Sequence, residues 1–100
     1  SGAMTDLEEA IRVAREAIDA TPLDRPDRIG RLNNLGVRLS NRYSRTGAMA
    51  DLEETIRVGR EAVDATPSDH PEWAARLNNL RHHLGERYSR TRAIANLEEA

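Results

Sequence analysis

The chain has 100 residues, 17 acidic and 15 basic, for a net charge of −2, so no global field draws it to nucleic acid or anionic lipid. It has no cysteine, which excludes disulfides and thiolate metal sites and suits a reducing, cytoplasmic compartment. No run of 18 or more apolar residues is present, so no segment reads as a membrane span. Aromatics are 3% and Phe is absent, which leaves the core to Leu, Ile, Val and Ala. Every basic residue is arginine, a pattern open to bidentate binding and to plain GC-rich coding bias alike.

In chain order, Ser1-Gly2-Ala3-Met4 (1–4) reads as a cloning remnant outside the fold. Residues 6–50 and 51–95 then align without a gap at a period of 45, with 29 of 45 positions identical, and a third copy begins at Asn96 and runs to Ala100. Such a period marks a solenoid, in which each unit buries its apolar face by stacking on its neighbours. The expected units are repeat 1 (5–50), repeat 2 (51–95) and a truncated third start (96–100).

Each copy predicts two helices. The first spans about 6–20 and again 52–65, where Leu7, Ile11, Ala14 and Ile18 form one stripe with Ala10 and Ala17 beside it. Thr5 with Glu8, and Asp51 with Glu54, have the spacing of an N-cap and its N3 carboxylate. Glu8–Arg12 and Glu53–Arg57 are i,i+4 pairs in the favourable order. Thr21-Pro22 and Thr66-Pro67 end these helices, because the residue before proline is pushed out of the α region.

The second pattern spans about 26–43 and 71–88. Ile29, Leu32, Leu35, Gly36, Leu39 and Tyr43 share a face, repeated by Leu77, Leu80, Leu84 and Tyr88. Ser-Arg-Thr-Gly at 44–47 breaks the pattern. The stub after Asn96 is too short to be a stable helix alone.

These strings resemble a tetratricopeptide repeat (TPR) read in a shifted frame, starting on a second (B) helix. The A-helix signature resembles Leu32-Asn33-Asn34-Leu35-Gly36 with Leu39, and Leu77-Asn78-Asn79-Leu80 with Leu84. The B helix resembles the small residues Ala10, Ala14 and Ala17 closing at Pro22, and Thr55, Gly59 and Ala62 closing at Pro67. With Asp69-His70-Pro71-Glu72 upstream, the repeats are similar to the long units of kinesin light chains. They are more similar still to the units of NLR-type (STAND) and CHAT-associated proteins. The resemblance implies an all-α fold of antiparallel helix–turn–helix repeats, stacked as an α-solenoid with a right-handed superhelix. The period exceeds the family's standard unit, with the extra residues expected around 41–50. Arg81 stands where the first copy has Gly36, which implies a looser or reoriented helix contact.

By the same resemblance the A helices line a concave groove for a protein or extended peptide. The helical wheel agrees: with the leucine face buried, Asn33, Asn34, Val37 and Asn41 point away from the core, as do Asn78, Asn79, His82 and Glu86. An asparagine carries a donor and an acceptor, which suits a peptide backbone. Asn34 and Asn79 are the leading candidates; the competing reading is that one Asn of each pair braces a neighbouring helix. Trp73 is open between a partner anchor and a cover for the junction at Pro71.

His82 and Glu86 stand one turn apart, but a third ligand is not evident, so no metal or other cofactor is expected. Arg42, Arg45, Arg87, Arg90 and Arg92 form a possible basic edge, with Asp51, Glu53, Glu54 and Glu86 nearby to neutralise it. Nucleic acid is not expected, since Tyr43 and Tyr88, the candidate stacking rings, sit on the buried stripe. No phosphate loop, Cys nucleophile or Ser/His/acid set is present, so no enzyme is expected. The leading expectation is a non-catalytic recognition scaffold, the sensor or interaction arm of a larger intracellular signalling protein. The alternative is a structural spacer or self-association element, swapped through the Ser44–Ala50 hinge, with Leu7, Ile11 and the last helix exposed for want of a cap.

Overall fold

The computed structural model describes residues 2–99 and is all-helical: α1 (Gly2–Asp19), α2 (Asp27–Thr46), α3 (Met49–Ala65) and α4 (Trp73–Glu99). Ser1 of the expected remnant and Ala100 of the third copy lie outside the described residues. Each helix packs on its neighbours in sequence, and the backbones of α2 and α4 do not pack on each other. The result is a slab of 49 × 37 × 18 Å, about two helices thick. No described helix is long and apolar enough to cross a membrane.

The core is the stripe that periodicity predicts. Ile11 and Ile18 of α1 meet Leu32, Leu35 and Leu39 of α2, which meet Val58 and Ala62 of α3. Leu39 is fully enclosed, at 0% exposure. Each such aliphatic side chain contributes about 1.5–3 kcal/mol on burial. Ile11, expected to lie exposed for want of a cap, is instead 1% exposed, and Leu7 packs partly against the core. Their stripe faces α2, so the uncapped side of α1 presents Val13.

Three boundaries differ from expectation. First, α1 begins at Gly2, so Gly2-Ala3-Met4 belongs to the helix. Ala and Met are strong helix formers, and no proline intervenes. Thr5 therefore lies inside the helix rather than capping it. Second, α3 begins at Met49, its N-cap is Ala48, and no side chain caps it. Asp51 sits in the first turn, buried and held by Arg42 Nε and Nη2 at 2.9 and 2.8 Å. Those bonds raise the Arg42 pKa above its ordinary value, against the opposing effect of burial.

Third, the stretch 41–50, expected to hold the extra residues between helices, is itself mostly helical. The α2–α3 link is only Gly47-Ala48, whereas α1–α2 and α3–α4 are each joined by seven residues. Gly47 takes the left-handed conformation (φ 70°) and donates its N–H to the Tyr43 carbonyl at 2.7 Å, ending α2. In the second copy the same position is Arg92, and α4 runs straight through it, carrying Asn96 and Leu97 as its continuation.

The two copies also share a joint that spacing alone does not reveal. Thr21 and Thr66 each donate a hydroxyl bond to the carbonyl four residues back, Ala17 and Ala62, at 2.6 Å. Each hydroxyl then accepts from an arginine of the next helix, Arg31 and Arg76, fixing the seven-residue link. Helix-surface pairs are redistributed from the expected ones. Arg12 reaches Glu9 and Glu16 rather than Glu8, while Arg57 takes Glu54 and Glu53 takes Arg87.

Burial is lowest on the last helix. α2 is sandwiched between α1 and α3, whereas α4 packs its backbone on α3 alone. Leu77 is accordingly 39% exposed where its counterpart Leu32 is 2% exposed, and Tyr88 is 65% exposed. The expectation that Leu77 and Tyr88 are buried thus fails: α4 packs on a single helix, and over its length it carries no strong apolar stripe.

Candidate functional site

Because the backbones of α2 and α4 flank α3 without packing on each other, they leave a cleft of about 310 Å³ between them. The wall on α2 presents Asn33, Val37 and Asn41 above Leu32 and Gly36. The floor is α3, with Thr55, Val58, Gly59 and Ala62. The opposite wall is Asn79, His82 and His83 on α4, above Leu80. Gly59 lies under Leu80, with room for alanine: a Cβ there would lie 3.6 Å from Leu80 Cδ1, an ordinary contact. The floor is apolar and small-residue, and the rims carry amide groups.

A shallower basin continues from this cleft along α4, sharing Asn79 and His82 and adding Asn78, Glu86 and Arg90. Arg90 closes its end. It donates from Nη1 to the Tyr43 hydroxyl at 2.8 Å and to the Gly47 carbonyl at 3.2 Å, with its guanidinium 5.7 Å from the Tyr43 ring centre.

Of the eight expected groove residues, Asn33, Val37, Asn41, Asn79 and His82 line the cleft, while Asn78 and Glu86 line the adjoining basin. Asn34 is exposed but borders neither, so the rim asparagine of α2 is Asn33. Asn78 accepts from Arg81 at 3.0 Å. Arg81 is exposed, whereas its counterpart Gly36 lies against Val58. Trp73 opens α4, half-buried, and lines neither cleft nor basin. The nearby His70 accepts the Glu72 N–H through Nδ1 at 3.0 Å, helping to shape the start of α4.

The expected basic edge is largely spent internally. Arg42 holds Asp51, Arg87 holds Glu53 at 3.3 Å and Arg90 holds Tyr43 and Gly47, leaving Arg45 and Arg92 exposed. His82 and Glu86 gain a third neighbour that spacing does not reveal. His83 turns its Nδ1 to Glu86 Oε1, 2.9 Å away.

With this geometry in hand, a family model described as tetratricopeptide repeat matches residues 28–72. The match supports the TPR family. Its span takes α2, α3 and the following link as one unit, which agrees with reading α1 as a B helix and α4 as an A helix. Comparison with curated proteins and with solved structures gave no match. A TPR unit fits a protein-interaction scaffold, and the α2–α4 cleft lies between successive A helices, on the face left open by the B helix beneath.

Proposed function

We propose that the α2–α4 cleft receives an extended peptide segment of a protein partner, without catalysis. The observation that carries this reading is the pairing of an apolar floor, Val58, Gly59 and Ala62, with amide rims, Asn33, Asn41 and Asn79. A strand-like peptide needs both: amides for its backbone groups and a floor for alternate side chains. The similarity to kinesin-light-chain, NLR-type and CHAT-associated repeats leads us to place this arm in a larger intracellular signalling protein. Replacing Asn33 and Asn79 together by Ala tests the groove. In a displayed-peptide selection against the wild-type chain, selected peptides lose at least about tenfold in affinity for the double variant, one unmade hydrogen bond being worth about 1 kcal/mol or more. Helicity by circular dichroism stays the same. Unchanged affinity for the variant sinks the assignment.

A second reading, self-association, draws on the apolar residues left open along α4: Leu77, Tyr88, Ile94 and Leu97. Light scattering over a hundredfold range of protein concentration separates the two. A steady monomer removes the second reading, whereas a dimer that Tyr88→Glu dissolves supports it.

A further inference from the structure

The sixteen positions at which the copies differ are not scattered evenly in chemical meaning. On one turn of the A helix, Val37, Arg38 and Asn41 of the first copy become His82, His83 and Glu86 of the second. All three changes bring in a metal-ligating type, and the structure draws the three together. His83 Nδ1 lies 2.9 Å and His82 Nε2 3.5 Å from the same oxygen, Glu86 Oε1. One ligand atom from each residue lies within 4.8 Å of the other two.

We propose that His82, His83 and Glu86 form a three-ligand site for a zinc-class divalent ion on the α4 wall of the groove. Ligands held at about 2.0–2.1 Å from one tetrahedral ion stand roughly 3.4 Å apart, and the two separations to Glu86 bracket that value. Two imidazoles and one carboxylate suit a borderline ion such as zinc; magnesium and calcium call for oxygen ligands. His83 is the fixed member, its side chain 17% exposed, while His82 at 70% keeps the site open to solvent. An ion can therefore enter without any helix moving. Three protein ligands leave a fourth position for water or another donor, beside the cleft that His82 and His83 line. The proposal does not depend on a peptide entering that cleft.

Calorimetric titration of the 100-residue chain with zinc chloride near neutral pH, in a non-chelating buffer, tests it. One ion binds per chain. Losing a ligand weakens binding by more than the roughly tenfold that loss of an outer-shell partner costs, so His83→Ala and Glu86→Gln each fall by over tenfold. His70→Ala, removing the remaining histidine, changes nothing. The triple change His82→Val, His83→Arg and Glu86→Asn copies the first repeat, whose helix folds with those residues, and it abolishes binding at unchanged helicity. Magnesium chloride gives no binding. Absence of zinc binding by the wild type, binding undiminished in the triple variant, or equal binding of magnesium would each overturn the site.

Discussion

Residues 44–50 and 89–95 share Ser-Arg-Thr and two alanines, yet the first stretch reverses the chain across two residues and the second stays helical to Glu99. Two substitutions bear on the difference. Gly47 occupies a left-handed conformation that costs an L residue about 1–2 kcal/mol, and its counterpart Arg92 is a good helix former. Downstream, Asp51 offers both carboxylate oxygens to the Arg42 fork and pins the returning helix. Its counterpart Asn96 has no such pair to offer, and Arg87 turns to Glu53 instead. In a repeat this similar, the turn and the clamp are where the two stretches part in side chain. The burial contrast between α2 and α4 has a packing basis: of the two, α2 has a helix on each side.

Substitutions sharpen this contrast. The largest effect is at the leucines: Leu39→Ala, fully enclosed, costs about 3–4 kcal/mol in urea unfolding, while Leu84→Ala on half-covered α4 costs about 1 kcal/mol. Equal losses would show α4 to be as well covered as α2. Next comes the clamp. Arg42→Ala leaves Asp51 buried without its partner and costs about 2–3 kcal/mol by the same measurement, discounted from a wholly buried pair for the arginine's partial exposure; an effect below about 1 kcal/mol would remove the clamp from the account. Swapping the turn residues gives a smaller change. Gly47→Arg loses about 1–2 kcal/mol, and Arg92→Gly weakens the helix beyond it by about 1 kcal/mol, seen as lower far-ultraviolet ellipticity. Were Arg92→Gly to leave the ellipticity untouched, the continuous helix would owe nothing to that side chain. Least of all is Arg87→Ala, whose partly exposed pair with Glu53 is worth about 0.5 kcal/mol or less.

Much of this architecture is legible in the chain. The 45-residue period, the amphipathic stripes of α1, α2 and α3 and the Thr-Pro stops all describe helices that exist, because apolar periodicity and proline sterics act locally. Spacing misplaces the helix starts for a physical reason. Asp near a helix start is favoured both as a cap and within the first turn, where the dipole acts on it, so spacing does not distinguish the two. Asp51 takes the second role because Arg42 is there to meet it. The loss of glycine at Arg92 is visible in the alignment of the copies, but its consequence depends on the residues beyond the turn. At the groove, the wheel identifies the open face, yet it does not separate Asn33 from Asn34. That choice rests on where α4 lies across the cleft, which no property of α2 encodes. Spacing also passes over His83 as a partner of His82, because adjacent residues diverge around a helix; Glu86, reachable from both, closes the gap.

The two-residue link has a kinetic consequence. Joining α2 to α3 closes a very short loop, while docking α1 or α4 must each close a seven-residue one, and closure entropy rises with loop length. The central hairpin is therefore the natural nucleus, onto which the flanking helices condense. In stopped-flow mixing, Gly47→Ala slows refolding, whereas Leu80→Ala on α4 chiefly hastens unfolding. The reverse pattern would place the nucleus at an end of the slab. If the hairpin does form first, the cleft is the last part of the molecule to be completed, since its second wall is α4.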